Sequence, residues 1–123
     1  MKFSLDSAPG SLTIAAYAQD TVTIHGQVHR FPLIITPVAI HTDLLPDTLD
    51  ALTPAHLQAV AGLGVEILIV GTGTRQIFID RALIHALAQQ GVGLEAMNSP
   101  AACRCFNVLV AENRAVAVAL FSG

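Results

Sequence analysis

Two stretches of this sequence hold residue types that could do chemistry. The first is Gly71-Thr72-Gly73-Thr74-Arg75, which follows the largely apolar run Val65-Glu66-Ile67-Leu68-Ile69-Val70. Glycine lets a backbone turn sharply and lets its N–H groups approach an anion; a glycine-rich turn after a buried parallel strand is where α/β folds place ligands. Against the dinucleotide fingerprint, Gly71 and Gly73 fill the first two glycine positions, and Glu95 stands roughly twenty residues on, as a ribose-binding acid would. Gln76 occupies the third glycine position, however, and the next helix signal, Asp80, comes too late to aim a helix dipole at a pyrophosphate. No Gly-Lys-Ser/Thr follows, which excludes a Walker-type loop. A structural turn is the better reading than a nucleotide site.

The second stretch is Ser99 to Asn107. Ser99 as N-cap and Pro100 at the first helical position put Cys103 in the opening turns of a helix, beside Arg104. A helix N-terminus and a neighbouring cation both lower a thiol pKa, the requirement for a reactive cysteine. Yet Ala102, Cys103, Phe106, Leu109 and Val110 share one helical face, where cysteine packs as a small hydrophobe, and the packed reading is favoured. Asn107, one turn beyond Cys103, either hydrogen-bonds locally or lines a pocket facing the Gly71 loop. Cys103 and Cys105 lie two apart and point in nearly opposite directions on a helix, so one metal ion cannot take both. The histidines at 25, 29, 41, 56 and 85 show no His-x-x-x-His pair on a helix. Neither a metal nor a cofactor is expected. No Gly-x-Ser-x-Gly elbow occurs, and Ser99 precedes a proline with no evident base, so nucleophilic hydrolysis has no support.

Composition narrows the remaining classes. A chain of 123 residues suits a single domain over 1–123. Its hydrophobic fraction of 53% is above the ~45–50% of ordinary globular chains, and charged residues at 12% are well below the usual ~25%. Apolar surface left over after building a core points to a protein partner or a homo-oligomer. Net charge is −3, and the arginines at 30, 75, 81, 104 and 114 form no basic stripe, so nucleic acid is not an expected partner. No run approaches the ~20 apolar residues that span a bilayer, so no membrane insertion is expected. The start, Met1-Lys2-Phe3-Ser4-Leu5-Asp6, lacks the apolar region of a secretory signal, and a cytoplasmic protein with reduced thiols is expected.

The elements that must position these groups are legible in outline. Ser11–Tyr17, Thr21–Ile24, Gln27–Arg30 and Phe31–Thr36 read as an antiparallel meander, with Gln19-Asp20 and His25-Gly26 as turns. The stretch from Pro37 to Asp50 reads as irregular. Thr53-Pro54 opens a helix to about Ala61 that buries Leu57 and Val60. The strand Val65–Val70 follows, then a short extended piece at Gln76–Ile79. Asp80 caps a helix through Gln90 with a buried stripe of Leu83, Ile84 and Leu87, and Ile79 pairs with Ile84 as a hydrophobic staple. A strand at Val92–Met97, the helix from Ser99 to about Ala111, and a strand at Ala115–Phe121 complete the chain. Strand–helix–strand alternation implies parallel pairing.

Two motifs carry a family likeness. Glu66-Ile67-Leu68-Ile69-Val70-Gly71-Thr72-Gly73-Thr74-Arg75-Gln76, followed by Gly91–Met97 and Ala101-Ala102-Cys103-Arg104-Cys105-Phe106-Asn107-Val108-Leu109, resembles the Mth/Xcc-type family of small α/β proteins. One animal relative in that family is a mitochondrial assembly factor of respiratory complex I, and another is associated with adipogenesis. The likeness covers most of the chain and implies one three-layer α/β domain, an N-terminal antiparallel meander followed by strand–helix alternation around a mixed sheet. It implies no established enzyme activity and no cofactor. Its motif residues here are Gly71, Thr72, Gly73, Arg75, Gln76, Cys103, Arg104 and Asn107. Cys105 stands where members commonly carry threonine, Ser99-Pro100 replaces Thr-Gly, and the expected tryptophan is missing. The leading expectation is an accessory protein that binds another protein in respiratory complex assembly. The alternative is a small-ligand or anion-binding domain, a cryptic enzyme, using Gly71, Thr72, Gly73 and Arg75 with Cys103, Arg104 and Asn107.

Overall fold

The structure, a computed structural model, describes residues 10–123; the N-terminal residues discussed above lie outside the described part. Its centre is a five-stranded sheet whose strands alternate their buried side chains between two faces. The strands are β4 (Leu33–Ile35), β5 (Ile40–His41), β6 (Ile67–Gly71), β7 (Gly93–Met97) and β8 (Val116–Leu120), in the order β5-β4-β8-β6-β7. β6 runs parallel to β7 and β8, and β4 is antiparallel to β5 and β8, so the sheet is mixed. A second, three-stranded antiparallel sheet comprises β1 (Ala16–Tyr17), β2 (Thr21–Ile24) and β3 (Gln27–Arg30). Three α-helices complete the chain: α1 (Pro54–Ala61), α2 (Arg81–Ala88) and α3 (Ser99–Ala111).

Period-two alternation assigns each face its own core. Leu33, Ile35, Ile69, Val116, Val118 and Leu120 point to one side, where Ala102, Cys103, Phe106 and Val110 of α3 and Val22 and Ile24 of β2 cover them. Ile34, Leu68, Val70, Ala117 and Ala119 point to the other, against Leu57 and Val60 of α1 and Leu87 of α2. A strand with both faces covered must be apolar throughout. β8 shows this most fully, with every residue from Val116 to Leu120 buried. The three-layer α/β expectation is met.

Local signals set the ends of several elements. Thr53 caps α1 in a reciprocal box: its hydroxyl accepts from the His56 amide, and His56 Nδ1 accepts the Thr53 N–H at 2.9 Å. His25 and Gly26 both have positive φ, the conformation that matches a tight hairpin to strand twist. Outside the strands, Arg114 Nε donates to Glu66 Oε1 at 2.8 Å, tying the start of β6 to that of β8 at the surface. That bond, then the arginine's charge, lowers the Glu66 pKa.

Several boundaries differ from the sequence reading. The Phe31–Thr36 segment does not close the meander; its core, β4, crosses to the central sheet and pairs with β8. Leu33, Ile34 and Ile35 are all buried, and only a strand between two covered faces uses three such residues in succession. The irregular segment holds β5 and a short 3-10 turn at Leu49–Ala51. Gln76–Ile79 forms no strand. In α2 only Leu87 is fully buried, Leu83 is half-buried, and Ile84 is 37% exposed, because the short helix leans on α1 and β7 along a narrow line.

Only Ala16–Tyr17 of the first expected strand pairs in a ladder. Ahead of it, Asn107 on α3 receives the chain as a neighbouring strand would. The Ile14 amide donates to Asn107 Oδ1 and Asn107 Nδ2 donates to the Ile14 carbonyl, both at 2.8 Å. Replacing Asn107 with alanine leaves both groups of a buried residue unpaired, at about 1–3 kcal/mol each. Urea unfolding of Asn107→Ala is expected to show a loss of at least ~2 kcal/mol; an unchanged midpoint would remove this clamp from the account.

Candidate functional site

β6 ends at Gly71, and the chain then turns between β7, β8 and the first turn of α3. A Cβ on Gly71 would lie 2.7 Å from Leu120 Cδ2, 3.1 Å from Ser99 Oγ and 3.2 Å from Ala102 Cβ. A Cβ on Gly73, whose φ is +96°, would lie 2.6 Å from the Cα of Gly123. Both positions need glycine for close packing, and Gly73 needs it for its backbone conformation as well.

The polar groups of the turn are bonded within the fold. The Thr72 amide donates to the Met97 carbonyl at 2.9 Å, and the Gly73 amide donates to Ser99 Oγ at 2.9 Å. In return the Ser99 amide donates to the Gly73 carbonyl at 2.7 Å, and the Phe121 amide to the Gly71 carbonyl at 3.1 Å. Thr72 Oγ1, buried, accepts from the Ile77 amide and has the Arg75 and Met97 carbonyls within donating reach. Strands β6, β7 and β8 and helix α3 are thereby bonded through one turn.

Arg75 and Gln76 lie past the turn and are exposed. Gln76 Nε2 reaches back to the Ala96 carbonyl of β7 at 3.2 Å. Glu95 sits on β7 opposite Ile69, exposed at the sheet edge. Beside the turn, Tyr17, Gly73, Thr74, Ser99 and Pro100 border a shallow cleft of about 270 Å³.

The helix expected to face the loop does so through its first turn. Asn98, not Ser99, is the N-cap of α3, its Oδ1 accepting from the Ala101 amide at 2.9 Å. Asparagine and serine cap about equally well, so sequence alone does not choose between neighbours. Structure does: with Asn98 capping, the buried Ser99 hydroxyl is free to hold Gly73. The other α3 candidates point elsewhere. Cys103 is 1% exposed in the core, Asn107 holds Ile14, and Arg104 Nη1 donates to the Tyr17 hydroxyl at 3.1 Å. The sequence reading gives Ser99 the cap and Asn98 no role; two cap-capable side chains before one proline were the available signal.

Burial pushes the Cys103 thiol up to about 11, and the opposing pull of Arg104 is the smaller effect. This matches the packed reading of Cys103. Among the described residues no three His, Cys, Asp or Glu side chains converge as a metal site would require.

The family model described as "Protein of unknown function (DUF498/DUF598)" matches residues 14–121. A Francisella tularensis protein named "13 kDa major membrane protein" is 32% identical over 90 residues, 72% of each chain. The Xenopus tropicalis "NADH dehydrogenase [ubiquinone] 1 alpha subcomplex assembly factor 3" is 32% identical over 114 residues. That alignment covers 87% of this chain and 59% of the frog protein. A crystal structure from Bordetella parapertussis superimposes with a TM-score of 0.84 at 32% identity, covering 94% of this chain and 99% of the other. A Bordetella pertussis solution structure described as a Mth938-like domain gives 0.79 at 28% identity, covering 99% and 92%. The resemblance read from the two motifs therefore holds.

The raised Cys103 pKa has a pH consequence of definite sign. Between the ordinary thiol value of 9.0 and about 11, the unfolded chain releases a proton that the folded chain keeps. Cys103 thus contributes stability that is present below pH 9.0 and lost as pH rises toward about 11. The loss reaches ~2–3 kcal/mol. Urea unfolding across that range should show it, with the slope reduced by about one proton in Cys103→Ala. Equal slopes in the two proteins would contradict the assignment.

Proposed function

We propose, from the premise that this chain belongs to the DUF498/DUF598 family, that it is an accessory protein acting by binding another protein in the assembly of a respiratory membrane complex. The observation that carries this reading is the 32% identity with a NADH dehydrogenase assembly factor over 87% of the chain. The alignment takes in most of the fold rather than one motif. Because the chain spans 59% of that relative's length, the relative's remaining segments have no counterpart in the aligned region. What the two proteins share is this α/β domain, and the proposal gives the domain the partner-binding part of the work.

The physical character of the chain supports the same reading. Its apolar fraction of 53% fills two cores and still leaves Ile77, Phe78 and Ile84 exposed near the start of α2. The amides of Thr72 and Gly73 are engaged within the fold, so an anion at the turn would compete with Met97 and Ser99 for them. In this reading the protein works in the cytoplasm, on subunits before or as they join the membrane complex. No helix of the described residues is long and apolar enough to cross a membrane.

A deletion strain tests the proposal. Native gels stained for NADH dehydrogenase activity should show depleted mature complex and accumulated subassemblies, restored by the plasmid-borne gene. Normal complex levels, together with a tagged protein that emerges from gently solubilised cells without a respiratory subunit, would overturn it.

A further inference from the structure

Single exposed apolar residues are ordinary, and Val28, Val38 and Val108 stand on β3, the β4–β5 turn and α3 as such. Ile77 and Phe78 are different. They are consecutive, 46% and 88% exposed, and border a cleft between the Leu49–Ala51 turn and the start of α2. Leu49, Leu52, Ile79 and Leu83 supply its remaining apolar lining. Its volume of about 230 Å³ lies below the ~300–1,000 Å³ of small-molecule pockets and suits anchoring side chains.

Charge selects the occupant. Asp50 and Asp80 also line the cleft, and no lysine or arginine does. Asp80 Oδ1 caps α2 by accepting the Ala82 amide at 2.9 Å. Among the described residues the ion pair is Glu66 with Arg114, so neither cleft carboxylate has a cationic partner. A purely apolar ligand would partly desolvate two carboxylates without compensation. A second copy docking through the same patch across a two-fold axis would bring acids onto acids. An anionic lipid surface would be repelled.

We propose that this cleft docks a segment of a partner protein that inserts an apolar side chain beside Phe78 and sets an arginine or lysine against Asp50 and Asp80. This deepens, and rests on, the reading that the chain works by binding a protein.

The test titrates the 15N-labelled full chain with synthetic Leu-Arg-Leu-Arg, Leu-Glu-Leu-Glu and Ser-Arg-Ser-Arg peptides, following amide shifts by NMR. The Leu-Arg peptide is expected to shift amides within 49–52 and 77–83 and to bind at least about threefold tighter than either control, with salt weakening it. Phe78→Ser, at an exposed site, should weaken binding about tenfold. Asp50→Asn with Asp80→Asn should erase the preference for arginine over glutamate; asparagine also caps helices, so α2 is retained. Equal binding of the Leu-Arg and Leu-Glu peptides, shifts confined to other residues, or no shifts would overturn the proposal. Shifts of the same amides on raising protein concentration alone, or on adding phosphatidylglycerol vesicles, would assign the cleft to a second copy or to lipid and likewise overturn it. Complementing the deletion strain separates this failure from that of the assembly reading. If wild type and Phe78→Ser restore the complex equally, the cleft proposal falls and the assembly role stands; if deletion leaves the complex normal, the assembly role falls.

Discussion

At the end of β6 two stretches of backbone come closer than a side chain would allow. Gly73 and Gly123 face each other so tightly that a Cβ on either would collide with the other's neighbourhood, and Gly71 meets Leu120 and Ser99 in the same way. Close approach of this kind brings the backbone groups of separate elements within hydrogen-bonding distance. Around Thr72 and Gly73 those bonds reach β7 through Met97 and α3 through Ser99, while Gly71 receives the amide of Phe121 just past β8. Three parallel strands and the helix that crosses them share one joint. The placement of α3 follows from it: once Ser99 is bonded to Gly73, the helix lies over β6 and β8 with Cys103 and Phe106 turned inward. Asn107, further along the same helix, then stands where it can capture Ile14 and bring the N-terminal sheet onto the core.

This joint also explains why the loop has the look of a ligand cradle. Glycines are required wherever backbone must approach something closely, and that something can be a phosphate or another part of the same chain. Here the contacts are Leu120, Ser99, Ala102 and Gly123. The surface left available lies further along the same crossover, where Ile77 and Phe78 are exposed beside uncompensated carboxylates. The rigid joint is thus followed at once by an apolar, acidic surface.

Local patterns made much of the fold legible. Thr53-Pro54 marked the start of α1, Asp80 capped α2, and the apolar runs located β6 and β8. What misled was information that is not local. Leu33-Ile34-Ile35 continues the β-prone pattern of the preceding strands, and nothing nearby says that its partner is β8, more than eighty residues later. β5 has only Ile40–His41, too short to show periodicity. Ile84 fits a helical stripe by spacing, but a short helix touching its neighbours along one line buries only part of it. At the junction itself the glycines were visible and their contacts were not, because Ser99 and Gly123 are brought there by tertiary structure. Cys103 shows the same limit: a helix start and Arg104 argue for a low pKa, and only its burial on the sheet-facing side of α3 reverses the direction.

The Gly71–Gly73 turn is a joint bonded into the core rather than a free loop. Native-state amide hydrogen exchange addresses it directly, because the Thr72, Gly73 and Ser99 amides report the three bonds that define it. Protection at all three is expected to match that of Ile69 and Val118 in the central strands, with opening only on global unfolding. Exchange of Thr72 and Gly73 at the rate of an unprotected surface loop, while β6 and β8 stay protected, would contradict it.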